Sequence, residues 1–200
     1  MKITKLTNPT TLPTTLNAIR DHLRIEHDEP AYNDELTSLI YTARDYVESE
    51  THLTLITTQL RATWDCWPAE IIKIPGWPVS SLDSITYTDT DGTEQTLSSL
   101  LYRTNLVQCP ATVQPAIDQD WPDLQTDAIQ AVNVNFTAGY GSAATDVPYM
   151  VQHLIKLLVG HWFHNREAVL TGTIAKPLEL AFASLRDELR VNEFQTFLTQ

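Results

Sequence analysis

The sequence predicts an α+β protein: a four-helix core with an antiparallel β-hairpin module inserted between helix 2 and helix 3. Three observations carry this expectation. The hydrophobic period is helical up to about residue 52, alternates through the middle of the chain, and turns helical again near residue 148. Thr outnumbers Ser by 27 to 9, and β-branched Thr favours strands and caps over helix interiors. Acid is concentrated in the middle: residues 53–146 hold 11 acidic and 3 basic side chains, whereas residues 147–200 hold 5 of each. The expected organisation is a helical core from 1–56 and 147–191, a β module at 57–146, and a C-terminal tail at 192–200.

The first helix should start at Thr14 or Thr15, either of which can cap it, after the Pro13 breaker. Leu16, Ile19 and Leu23 share one face, and the polar run Glu26–Pro30 ends the segment. The second helix, near 34–52, has the cleanest pattern. Leu36, Leu39, Ile40, Ala43, Val47 and Thr51 form its stripe, while Glu35, Arg44, Asp45 and Glu48 lie off it. Leu60, Ala62 and Trp64 then alternate with polar residues, as a half-buried strand does. Ile72 and Ile74 repeat the alternation. Ser84–Thr88 and Thr93–Leu97 flank Asp91-Gly92, the signature of a hairpin. A Pro-punctuated loop is expected over 108–127, then a strand over Val132–Thr137 that stops at Gly139. A third helix over about 148–165 follows Pro148, and a fourth is expected over 178–191.

The net charge of −12 disfavours a protein that grips nucleic acid or an anionic membrane, since both depend on Lys and Arg. Cys66 and Cys109 match neither a zinc nor a redox spacing, and Cys66, between Trp64 and Trp67, reads as a buried thiol. The first residues contain no apolar run of a signal peptide, and Leu154–Phe163 is too short to span a bilayer. A soluble protein made in a reducing cytoplasm is expected.

No catalytic site, metal site or cofactor is expected. His161, His164 and Glu167 are spaced at three residues, so they spread around a helix, and they lack the Glu-flanked i, i+4 pair of a zinc protease. Asp118, Asp120, Asp123 and Asp127 resemble a calcium loop in spacing only, because Trp121-Pro122 replaces the required continuation. Gly139–Ala143 has no Lys-Ser/Thr of a phosphate loop. The apolar residues of the third helix cover nearly its whole circumference, which marks Met150, Leu154, Leu157, Leu158 and Trp162 as a candidate oligomer interface. Phe194, Phe197 and Leu198 share a helical spacing and form a candidate docking tail.

The segments TLNAIRDHLRI (15–25), ARDYVESETHLTLI (43–56), WDCWPAEIIKIPGWPVSSLDSITYTDTDGTEQTL (64–97), VNFTAGYGSAATDVP (134–148) and LLVGHWFHNREAV (157–169) run in order along the chain. In that order and spacing the chain resembles the head–tail connector (adaptor, or head-completion) proteins of tailed phages and prophages. The resemblance implies a non-enzymatic structural part of the virion neck, made in the bacterial host cytoplasm. It implies a closed ring of about twelve copies that docks under the portal protein and offers a surface to a tail-side stopper or tail-completion protein. DNA would pass through the channel without tight binding. Candidate channel-facing acids are Asp83, Asp89, Asp91, Glu94, Asp118, Asp120, Asp123 and Asp127. The alternative is a monomeric binding or assembly-regulating module acting through its β hairpins.

Overall fold

The computed structural model describes residues 1–165 together with 183–184 and 187–189. These last five residues are helical, inside the span expected for the fourth helix; the rest of that helix and the tail 192–200 lie outside the described residues. The chain divides into two compact units. Of the described residues, one contains 1–8 and 57–139, and the other contains 9–56 and those from 140 to 189.

The first unit holds eight strands: β1 (Lys2–Lys5), β2 (Thr58–Trp64), β3 (Ile72–Ile74), β4 (Val79–Thr88), β5 (Glu94–Thr96), β6 (Tyr102–Asn105), β7 (Ala111–Pro115) and β8 (Val132–Ala138). Five of them form an antiparallel sheet in the order β1-β2-β8-β4-β5, and three form a second sheet, β3-β7-β6. The alternation in β8 explains its central place. Val132, Val134, Phe136 and Ala138 are fully buried, opposite Leu60 and Ala62 of β2 and Ile85 of β4. Ile72, Ile74, Ala111 and Val113 from the second sheet join the same core. The intervening residues make a polar lattice on the other face. Arg61 donates to Asn135 at 2.8 Å, Asn135 donates to Ser84 at 2.8 Å, and Thr63 donates to Asn133 at 2.9 Å. Thr63, Thr137, Asn133 and Asn135 all serve this lattice.

Three expectations change here. Residues 2–5, expected in the helical part, form an edge strand instead, in register from Lys2↔Thr63 to Lys5↔Leu60. Four residues with one apolar side chain among three polar ones give too little alternation to read, and β2 supplies their ladder. The expected loop over 108–127 contains β7, which pairs with β3 and β6. Cys66 is exposed, because it sits in the bend after β2 where the alternation has stopped.

The second unit contains α1 (Leu16–Leu23), α2 (Asn33–Thr51) and α3 (Tyr149–His164). Thr15 caps α1, its hydroxyl accepting from the Ala18 amide at 3.1 Å. Both α1 and α2 stop without glycine, at Arg24 and His52 in the left-handed conformation. Arg20, 5% exposed, ties the α1–α2 connection together. Its guanidinium donates to the carbonyls of His27 and Glu29 and to the Asn33 side-chain oxygen. Leu36, Ile40, Ala43, Val47 and Thr51 of the expected α2 stripe are all at 0% exposure, whereas Leu39 is half-buried and Arg44, expected off the stripe, is buried too. Gly160 lets α1 come close to α3, since a Cβ there would stand 3.2 Å from the His22 ring. Among the described residues no helix is long and apolar enough to cross a membrane.

Truncating Phe136 to Ala should cost about 3–5 kcal/mol of stability, the usual penalty for emptying an aromatic site in a packed core. Arg20→Met should cost about 2–4 kcal/mol, because three acceptors lose a charged donor. Urea denaturation measures both. Loss of less than about 1 kcal/mol for either would contradict the placement of that side chain.

Candidate functional site

The chemistry-bearing residues of the first unit gather where the β4–β5 turn meets the long loop between β7 and β8. Asp89 organises the turn. Its carboxylate accepts from the Asp91 and Thr93 amides at 3.0 and 2.9 Å and from the Gln95 amide side chain at 2.9 Å. The Thr93 amide bond, then Gln95, holds its pKa below the ordinary 3.8. Gly92, at φ 80°, completes the turn as its Asp-Gly spelling predicts.

Two indoles pin the loop. Trp67 and Trp121 stack with centroids 4.6 Å apart. Trp67 donates to the Pro122 carbonyl at 2.8 Å, and Trp121 to the Ala69 and Glu70 carbonyls at 3.1 Å each. Further along, the Gln125 amide donates to the Thr88 carbonyl at 3.2 Å, and the Gln125 side chain lies against Gly92. The loop therefore runs beside the turn, and Asp123 and Asp127 flank the point of attachment. Asp91, Glu94, Asp118, Asp120, Asp123 and Asp127 are exposed.

The eight candidate channel-facing acids lie in more than one place on the first unit. Asp83 lies six residues before Asp89 on β4, about 20 Å away along an extended strand. It accepts from Ser81 and Thr137 at 2.7 and 2.9 Å, so it belongs to the polar lattice. Asp118 and Asp127 adopt left-handed backbone, a conformation Asp tolerates better than most residues. Turn geometry accounts for part of the acid, and charge accounts for the remainder. The tryptophan stack was not foreseen, although the repeated Trp-Pro pairs at 67–68 and 121–122 were a readable sign.

The second unit presents α3. Leu154 is fully buried and Leu158 is 7% exposed, so both are consumed by this chain's own core. Met150, Leu157 and Trp162 are half-buried and remain as the partly open members of the expected interface. Trp162 meets Tyr46 edge-on at 6.1 Å between ring centroids, and Phe163 meets Tyr32 edge-on at 5.5 Å. A groove of about 250 Å³ between α1 and α3 is lined by His22, Leu157, Gly160, His161 and His164, among others. Desolvation, then the positive fields of His153, Lys156 and His164, push His22 below its usual pKa. Among the described residues no group of three or more His, Cys, Asp or Glu is placed to hold a metal. Glu167 and the candidate docking residues Phe194, Phe197 and Leu198 lie outside the described residues.

No family model matches the chain, and no curated protein matches it. Solved structures do. The chain is similar to a chain in the neck of an empty gene transfer agent (GTA) particle computed with C6 symmetry, at TM-score 0.78 and 21% identity. It is similar at TM-score 0.77 to a chain in the virion of the native gene transfer agent particle, and at 0.72 to one in the native neck computed with C12 symmetry. The match covers 95% of this chain and 95% of the other in each case. At 21% identity this likeness establishes a shared fold.

Two titrations follow from the site. Asp89 has a folded pKa lowered from 3.8, so its contribution is complete above that value and lost as pH falls through the folded one. Asp89→Ala should therefore speed amide exchange at Asp91 and Thr93 at pH 6, an effect that shrinks as pH falls through the folded pKa. His22 is also lowered, from 6.5, so its neutral form is favoured and the second unit should weaken as pH falls below about 6.5. NMR titration of the His22 ring with a midpoint above 6.5 would contradict that arrangement.

Proposed function

We propose that this chain is a structural head–tail connector of a tailed phage, prophage or related particle. In this reading it forms a ring in the virion neck under the portal protein, leaves a channel for DNA, and presents a docking surface to a stopper or tail protein. The observation that carries the reading is the fold: it is shared over 95% of the chain with chains of particle necks computed with sixfold and twelvefold symmetry. Two features of the chain support it. A head-to-tail ring needs apolar surface beyond the monomer's own core, and Met150, Leu157 and Trp162 are half-open on α3. A channel that must release DNA needs few cations, and residues 57–139 carry three.

Electron microscopy of the protein added to portal-bearing capsids that lack a neck tests this. The expected result is a symmetric ring at the portal vertex, weakened by Trp162→Asp. Absence of added density at that vertex under conditions where the protein is folded would overturn the reading. The isolated chain should also show negligible affinity for duplex DNA even at low salt, where phosphate contacts are strongest. Salt-sensitive submicromolar binding in a filter or anisotropy assay would assign the acidic face another task.

A further inference from the structure

Of α1, α2 and α3, only α3 carries no carboxylate; its basic side chains are Lys156, His153, His161 and His164. At about 100° per residue, Tyr149, His153 and Lys156 fall within about 60° of one another, and Met150 and Leu157 border them. The buried stripe of Val151, Leu154, Ile155 and Leu158 lies on the opposite side. Tyr149 is 87% exposed, His153 is exposed, and Met150, Lys156 and Leu157 are half-buried. Among the described residues Lys156 forms no ion pair. α1 approaches the same line of positions at Gly160, where His22 feels the positive fields of His153, Lys156 and His164. The first turns of α3 therefore present a face that is partly apolar and, in its charge, wholly basic.

The first unit carries a surface of the opposite kind. The Ala116 amide donates to the Leu101 carbonyl at 2.9 Å, which brings Leu100 and Ile117 to the same end of the second sheet. They are 85% and 67% exposed. The Gln119 amide donates to the Ala116 carbonyl at 3.1 Å and closes a turn that contains Asp118, with Asp120 just after it. Both carboxylates are exposed, and residues 104–131 contain four acidic side chains and no basic one. The Asp91–Glu94 turn offers charge without an apolar side chain, so it matches only half of the α3 face.

Neither surface can pair with its own copy, because like charges would meet. Together they suit a head-to-tail contact that repeats from copy to copy. Duplex DNA is the less favoured occupant, since α3 has one permanent cation and phosphate affinity grows with their number. We infer that the Tyr149–Leu157 face of α3 in one copy receives the Leu100–Ile117–Asp118 corner of the next copy. This rests on the connector reading and adds to it the surfaces that meet. Burial of the apolar side chains supplies the attraction, and the charges select the partner and its register.

The test adds ¹⁵N-labelled and unlabelled full chain in equal amounts to neckless portal-bearing capsids, followed by a zero-length carbodiimide crosslinker. The expected product joins Lys156 of one isotope to Asp118 or Asp120 of the other. Leu100→Ser/Ile117→Ser should lower ring occupancy about tenfold or more. The same variant should keep the urea midpoint of the free chain, because both side chains are exposed. Lys156→Glu should lose the ring, and adding Asp118→Asn/Asp120→Lys to the same chain should restore it. Asn suits position 118 because it tolerates the left-handed backbone there. Rings without this mixed-isotope crosslink overturn the inference, as do rings whose Lys156 joins Asp127 instead. Normal occupancy by Lys156→Glu or by Leu100→Ser/Ile117→Ser overturns it too and leaves the connector reading standing. The same crosslink in solution, without any ring on capsids, overturns the connector reading and keeps the contact. Neither ring nor crosslink overturns both. Duplex binding that Lys156→Glu abolishes overturns the inference in favour of a phosphate site.

Discussion

The pairing of β2 with β8 is the constraint from which the rest of the first unit follows. Seven consecutive partners, Thr58↔Ala138 to Trp64↔Val132, fix a register across the intervening chain of residues 65–131. Because side chains alternate, a slip of one residue would carry Val134 and Phe136 out of the core and bring Asn133 and Asn135 in. No such slip is tolerable. With β8 held, β4 takes its other edge, β5 follows through the Asp-Gly turn, and β1 closes against β2. The loop of residues 116–131 then has no freedom except to lie where Trp121 and Gln125 attach it.

How much of this was legible depends on whether a signal was local. Helices α1 and α2 could be placed within a residue or two, since the Thr15 cap and the Leu36–Val47 stripe are contained in their own segments. Strand β8 and the Asp91-Gly92 turn were readable for the same reason. β1, β6 and β7 were not. Each is short, and each owes its structure to a ladder partner far away in sequence rather than to its own pattern. Among the site residues, the sign of the acidic region was plain from composition. The division of labour within it was hidden, because Asp83, Asp89 and Asp118 look alike until their hydrogen bonds and backbone angles are known. The same holds for α3, where Leu154 and Leu158 share the hydropathy of Leu157 yet lie deeper in the core.

Charge and packing are separated within this chain. Apolar residues at the centre of each unit hold the fold, and nearly all the ionised groups stand at turns and rims where they cost little. The exceptions are two buried guanidiniums in the second unit. Arg20 and Arg44 are 5% and 8% exposed, and each is directed onto carbonyl oxygens. Arg44 reaches the Pro9 carbonyl at 3.3 Å, and Tyr41 donates to the Thr10 carbonyl at 2.7 Å. These bonds fasten the irregular stretch that follows β1, where no regular element is available to pair the backbone.

The strand at the amino terminus has a consequence for the living ribosome. Residues 2–5 are synthesised before the rest of their sheet, and their ladder partner, residues 60–63, emerges more than fifty residues later. That partner in turn waits for residues 132–138 before its other edge is covered. In the second unit, α1 and α2 wait likewise for α3, which ends at residue 164. Neither unit can close on a nascent chain that has stopped short of those points. Non-local pairing of this kind slows folding. A prematurely terminated polypeptide exposes unpaired strand edges and is open to proteolysis.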